Sequence, residues 1–244
     1  MNKLLCALLI LVAVHLSAQK PSASDILKAV DKNMSSGSSI SSTRMVVHSQ
    51  RASRTVASTN YGQGNDKFYS EYTSPPRDKG TKMLKLGTDL WIFDPNTDRT
   101  VQISGNMLKQ SVMGSDLSYE DFMEESKLFE DYSATIQKES SYDGRECWVL
   151  SLIAKRKDVS YYKRIIYVDK QRNVSLYEEW YAKSGKLMKT IKASDVQRIQ
   201  NRWYPRKIVF KDQLKAGKGT EYYIDEIKFD VSIPKHIFSK AMLK

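Results

Sequence analysis

Cysteine is almost absent from this 244-residue chain, and of its two copies Cys6 falls in an apolar leader, so Cys147 has no intrachain partner and a disulfide framework is excluded. Histidine is as scarce. Beyond the leader only His48 and His236 remain, far apart and without ligand spacing, which removes the usual material for a metal centre or a Ser-His-Asp arrangement. No G-x-S-x-G elbow, H-E-x-x-H helix, P-loop or G-x-G-x-x-G is present, and no apolar run after residue 16 is long enough to span a bilayer. Internal repeats, low-complexity tracts and an alternating βαβ rhythm are also missing, which leaves neither a solenoid nor a parallel sheet. The reading that follows is a non-enzyme with no catalytic residue, no metal and no cofactor.

What is present begins with an address. Lys3 supplies a positive start, Leu4 to Leu16 a short apolar core, and Ser17-Ala18 small residues fit for cleavage, so residues 1–18 are expected to be a cleaved secretory signal peptide. Residues 19–244 then form a single exported domain placed in the periplasm, held by its core without a disulfide. Cys147, followed by Trp148-Val149-Leu150, is read as a buried, unreactive thiol. Basic residues outnumber acidic ones, for a net charge of +11 that falls by one when Lys3 leaves. Such a surface favours anionic partners or serves solubility, and export argues against nucleic acid.

The mature chain opens with a helix. Ser22 and Asp25 are spaced as a capping box, and Ile26, Leu27, Val30 and Met34 fall on one apolar stripe. Ser35 to Ser42, serine-rich with Gly37, reads as a flexible connection that can act as a hinge. From Thr43 onward short strands alternate with turns, starting with runs such as Met45-Val46-Val47 and Thr55-Val56-Ala57 and ending with long strands over Trp203 to Lys211 and Thr220 to Val231. About eleven antiparallel strands are expected. The fold class is mainly β, α+β: a strongly curved antiparallel sheet with helices covering its concave apolar face, and the tail at Ile233-Pro234, Ile237 and Phe238 tucked against that same face.

The central stretch, Arg77 to Met123, is the most informative. Strands are expected at Gly80 to Leu86, Asp89 to Phe93 and Arg99 to Ser104, with Pro95 shaping a turn and Ser118 capping a helix that runs to about Phe129. Leu90-Trp91-Ile92-Phe93 is apolar at four successive positions, so both of its faces need apolar company. An ordinary two-faced core strand or the wall of a pocket satisfies this. The acidic residues Asp116, Glu120, Asp121, Glu124 and Glu125 either gather a cation or complement a helix N-terminus.

These residues carry a resemblance. Gly80-Thr81-Lys82-Met83-Leu84, then Asp89-Leu90-Trp91-Ile92-Phe93-Asp94-Pro95 with Arg99 and Ile103, then Met113-Gly114-Ser115-Asp116-Leu117-Ser118-Tyr119-Glu120-Asp121 resemble the outer-membrane lipoprotein-sorting (LolA-like) family. The likeness is sharpest between Arg77 and Phe122, and its L-W-x-F-x-P piece is shared with LolB and the lipid-sensing domain of RseB. It implies a half-barrel lidded by helices over an apolar cavity, and a periplasmic carrier. Such a carrier takes lipoprotein or phospholipid acyl chains from an inner-membrane transporter and passes them to an outer-membrane acceptor. It also implies an arginine that holds the lid shut, for which Arg44, Arg51 and Arg54 lie in the right region. The alternative is an RseB-like module that senses lipid or envelope stress; an enzyme acting on lipid or glycan is a third reading.

The residues expected to line the cavity are Met83, Leu86, Trp91, Phe93, Ile103, Met113, Phe122 and Trp148, with strand parity left open. Arg77, Lys79 and Lys82 are expected at a rim that holds headgroups or an acidic partner. Nothing in the chain demands more than a monomer.

Overall fold

The computed structural model describes residues 20–48, 52–123, 127–157 and 159–244. The expected signal peptide, Arg51, Glu124 and Glu125 lie outside the described residues. Among the described residues no helix is long and apolar enough to cross a membrane.

Helix α1 (Ala23–Met34) starts where the capping box places it: the Asp25 amide donates to Ser22 Oγ at 3.1 Å and Ser22 Oγ donates to the Asp25 carboxylate at 2.6 Å. Thirteen strands follow. They are β1 (Ser38–His48), β2 (Ser53–Gln63), β3 (Lys67–Ser74), β4 (Lys82–Leu86), β5 (Asp89–Asp94), β6 (Arg99–Ile103), β7 (Tyr132–Tyr142), β8 (Arg145–Ala154), β9 (Lys163–Asp169), β10 (Ser175–Tyr181), β11 (Leu187–Ile199), β12 (Arg202–Asp212) and β13 (Thr220–Phe229). Two short helices, α2 (Tyr119–Met123) and α3 (Leu128–Asp131), interrupt the run between β6 and β7. The expected count of eleven is thus corrected to thirteen among the described residues, and the short apolar runs Met45–Val47 and Thr55–Ala57 lie within two 11-residue strands, β1 and β2. Likewise, the supposed hinge at Ser35 to Ser42 shrinks to residues 35–37, since Ser38 already pairs with Gln63. The helix expected to reach Phe129 is in fact split between α2 and α3.

All thirteen strands join one antiparallel sheet, in the order β6-β5-β4-β3-β2-β1-β13-β12-β11-β10-β9-β8-β7. It is an open sheet rather than a closed barrel, with β6 and β7 as its edges. This order has a topological consequence. The chain leaves the sheet at one edge and re-enters at the other, so the segment from Ser104 to Asp131 is obliged to cross a whole face as a strap. That face is concave. Lys85 on β4 and Lys189 on β11 stand six places apart, about 29 Å in a flat sheet, yet both ammonium groups bond the strap around α2. Register shifts at Ser42/Thr43, Ala57/Ser58, Ile136/Lys138, Ser175/Tyr177 and Trp180/Tyr181 supply the local kinks that let strands bend.

Under α1, buried Ile26, Leu27 and Val30 meet Leu150, Leu152, Ile166 and Val168 on β8 and β9. Each such side chain contributes roughly 2 kcal/mol by leaving water. The convex face has its own cover. Ile233, Ile237, Phe238, Met242 and Leu243 of the C-terminal tail pack on Tyr69, Leu84, Trp91 and Phe93. The tail therefore lies opposite the helices, not beneath them as the sequence suggested. Two covers explain the four-residue apolar run in β5: Leu90 and Ile92 meet the strap, while Trp91 and Phe93 meet the tail.

Candidate functional site

The strap is fastened by the G-S-D-x-S-Y-E-D string. Met113 and Gly114, both at positive φ, turn the chain (φ 50° and 72°), and the buried Ser115 Oγ accepts from the Leu117 amide at 3.1 Å. Asp116 is bonded on three sides: its amide donates to Thr220 Oγ1 at 2.9 Å, its carboxylate accepts from the same hydroxyl at 2.8 Å and from the Asp212 amide at 2.9 Å. Ser118 and Asp121 form a reciprocal capping box, with the Ser118 amide donating to Asp121 Oδ2 at 2.7 Å and the Asp121 amide to Ser118 Oγ at 3.2 Å. Asp121 also accepts from Tyr161 Oη at 2.6 Å and pairs with the Lys189 ammonium, which reaches the Asp116 carbonyl as well, at 2.9 Å. Asp116 and Asp121 of the acidic cluster are thus fasteners. Among the described residues no group of three or more His, Cys, Asp or Glu gathers at metal-binding distance.

Other cations hold the strap from the sheet. Lys85 Nζ donates to the Met123 carbonyl at 3.2 Å, and Lys215 Nζ reaches Ser111 Oγ and the Ser115 carbonyl. Arg54, on β2, donates to the Met113 carbonyl and to Asp78 at 3.0 Å. Of the three arginines in the region expected for a lid contact, Arg54 alone among the described ones touches the strap; Arg44 pairs with Asp225, with one contact at 2.7 Å.

Between strap, α1 and the sheet lies a cavity of about 270 Å³. Val30 and Met34 of α1 and Leu128 of α3 form its roof, and Trp180, Ile191, Ala193, Pro205, Ile208 and Phe210 of β10–β12 its floor. Pro205 lies in the part of β12 that has left β13, since the two strands pair only from Lys207 to Phe210. Arg206 takes the freed carbonyls of Ile224 and Asp225. A second cleft, of about 430 Å³, shares Met34, Asp121, Trp180, Ile208 and Phe210 with the first and continues toward Gly62, Phe68, Lys85 and Phe122. Together they form one trough along the concave face.

Three polar groups at this trough, Arg164, Glu178 and Asp31, are committed. Arg164 lies 4.2 Å from the Trp180 ring centre and 4.9 Å from that of Tyr132, and its Nε donates to Tyr132 Oη at 3.0 Å. Glu178 accepts from Trp180 Nε1 at 2.7 Å. Asp31 caps α3 by accepting from the Leu128 and Phe129 amides at 3.1 and 2.9 Å; burial pushes its carboxyl above the usual range, against the pull of those two amides. Among the described residues lining the trough, no serine, threonine or cysteine is bonded to a histidine or carboxylate. It can shelter apolar matter.

The predicted lining residues divide between the two faces. Phe122 lines the second cleft, Met83 joins it in a small adjoining pocket of about 40 Å³, and Ile103 packs beside Met83 under the strap. Met113 packs on Met45, Val56 and Tyr72, and Trp148 against the cluster beneath α1. Leu86, Trp91 and Phe93, by contrast, belong to the convex cluster under the tail. The predicted rim is also displaced from the trough: Lys82 Nζ donates to the Lys244 main-chain oxygen at 3.0 Å, and the Arg77 carbonyl accepts from Asn96 at 3.2 Å in the turns beyond β3 and β5, next to Lys79. Sequence reasoning missed Trp180, Ile208 and Phe210. The one available signal was the aromatic and branched content of β10 and β12, which marks any strand.

A family model described only as "-like: Uncharacterized protein" matches residues 64–244. Among curated proteins none matches. Solved structures do. A domain described as an outer membrane lipoprotein-sorting protein domain from Vibrio parahaemolyticus is 25% identical with a TM-score of 0.77, covering 91% of this chain and 97% of that one. A DUF1329 family protein from Desulfovibrio piger (23% identity, TM-score 0.82, 91% and 98% covered) and a LolA superfamily protein from Nitrosomonas europaea (23%, 0.75, 91% and 99%) share the fold. With the strap-bearing motif and the fold both in place, the chain belongs to the outer-membrane lipoprotein-sorting, LolA-like family.

Proposed function

We propose that the protein is a periplasmic carrier that shelters the acyl chains of a lipoprotein or lipid in the concave trough and delivers them toward the outer membrane. The observation that carries this reading is the trough itself: an apolar floor of Ile191, Ile208, Phe210 and Trp180, roofed by a strap tied down through polar contacts. Its two parts sit about the lower end of the ~300–1,000 Å³ common for ligand pockets. Loosening the strap enlarges them.

The drive is burial alone. Each methylene removed from water contributes roughly 0.8 kcal/mol, so a chain of about fourteen gains near 11 kcal/mol gross. Because any apolar acceptor offers the same gain, transfer needs a lowered barrier and no bond chemistry. An inner-membrane transporter as donor and an outer-membrane acceptor complete the route, in keeping with the lipoprotein-sorting description of the Vibrio domain. A monomer suffices.

Mass spectrometry of lipid co-purified with the protein from its native envelope, with uptake of a fluorescent fatty acid, tests the proposal. Bound lipoprotein or phospholipid, and uptake lost in Ile208→Asp, is the expected result. An empty protein that takes up no probe would sink it.

A further inference from the structure

We propose that one end of the sheet, carrying the β8–β9, β10–β11 and β12–β13 loops, docks on an anionic phospholipid bilayer with Leu214 entering the headgroup layer. The topology brings these loops together: β13-β12-β11-β10-β9-β8 are consecutive in the sheet, so their connections at residues 155–162, 182–186 and 213–219 emerge side by side at the same end. Neighbouring hairpins stand about 10 Å apart. In sequence these loops hold Lys155, Arg156, Lys157, Lys183, Lys186, Lys215 and Lys218 against one acid, Asp158, which lies outside the described residues.

Among the described residues most of that charge faces no carboxylate. Lys157, Lys183, Lys186 and Lys218 are exposed. Lys155 and Lys215 are tied down, but to the Phe129 carbonyl and to Ser111 Oγ and the Ser115 carbonyl, neutral oxygens that leave the positive charge standing. Arg156 faces a carboxylate, Asp131, at 3.4 Å. The opposite end of the same strands differs. There Lys170 pairs with Glu139 at 2.7 Å and Arg172 lies 3.9 Å from Asp169, and the β7–β8 turn is acidic at Asp143.

The basic end also carries apolar groups that the fold leaves out. Leu214 is 56% exposed and Tyr162 41%, and both sit in these loops; the other large exposed apolar residues, Val101 and Ile136, lie on the edge strands β6 and β7. Leu214 is held at the tip: its amide donates to Asp212 Oδ1 at 2.9 Å, and Gly217 and Gly219, at φ 104° and 95°, close the loop behind it. An apolar tip ringed by unpaired cations spread over three loops, with no groove between them, fits a negatively charged planar surface better than a peptide.

The test is sedimentation of the purified protein with vesicles of phosphatidylcholine alone or containing phosphatidylglycerol, at low and high salt. Wild type is expected to bind only the phosphatidylglycerol vesicles, less at high salt. The double variant K183E/K186E should bind at least about tenfold more weakly, and L214E should lose binding to a similar extent, whereas K138E/K228E, the same charge change at exposed positions of β7 and β13, should bind as wild type does. All three variants keep acyl uptake if folded, since none of these residues lines the trough. Equal binding of K183E/K186E and K138E/K228E would overturn the proposal by reducing it to net charge. Unchanged binding in L214E would overturn the insertion of that tip, and no vesicle binding by wild type would overturn the proposal outright.

Discussion

The ammonium of Lys189, on β11, is buried against the carboxylate of Asp121, on α2, and this ion pair joins the strap to a strand 68 residues further along the chain. Both partners are withdrawn from solvent, with side-chain exposures of 7% and 2%. Breaking one side leaves a buried charge, so Asp121→Asn or Lys189→Met should cost about 3–5 kcal/mol. Urea unfolding measures it. A loss well under 1 kcal/mol would show that the strap is held elsewhere.

Opposite faces of the sheet should answer differently to substitution. Trp91→Ala removes a convex-face side chain packed beside Phe93 and the tail, so it should destabilise the fold by about 3 kcal/mol or more while leaving acyl uptake per folded molecule unchanged. Phe210→Asp, on the trough floor, should abolish uptake with the strand pairing intact. Reversal of that pattern in a fluorescence uptake assay would move the cargo site to the other face.

Asp169 makes stability depend on acid. Burial pushes its carboxyl up, but the Arg145 guanidinium and the amides of Gln171 and Arg172 outweigh burial and hold it below the ordinary value of 3.8. A folded-state value below the unfolded one contributes stability that is complete above the unfolded value and fades as pH falls through the folded one. Melting temperature should therefore drop in the wild type below about pH 4, and Arg145→Met should weaken that drop while lowering stability at neutral pH. A variant with an unaltered acid limb would remove Asp169 from the account.

Cys147 should be silent to thiol reagents in the native state. It is fully buried, and burial pushes its thiol up, so little thiolate forms and none is reachable. Reaction with a chromogenic disulfide should appear only as denaturant unfolds the sheet. Rapid labelling of the folded protein would contradict the buried position.

Periodicity and local chemistry were enough to read the strand-rich architecture, the first helix with its Ser22–Asp25 cap, the Ser118 cap and the doubly apolar run at Leu90 to Phe93, because each is set by neighbours a few residues away. The motif from Met113 to Asp121 was equally visible as a string, though its role was not: its partners, Thr220, Asp212 and Lys189, are brought to it only by the crossing of the concave face. Which side of β5 meets the strap and which meets the tail was decided in three dimensions. Alternation along a strand gives two faces of equal standing, and a shift of one residue exchanges them. The trough floor stayed hidden for the same reason. Trp180, Ile208 and Phe210 are ordinary strand residues until the sheet bends, β12 parts from β13 at Pro205, and the strap is drawn across them.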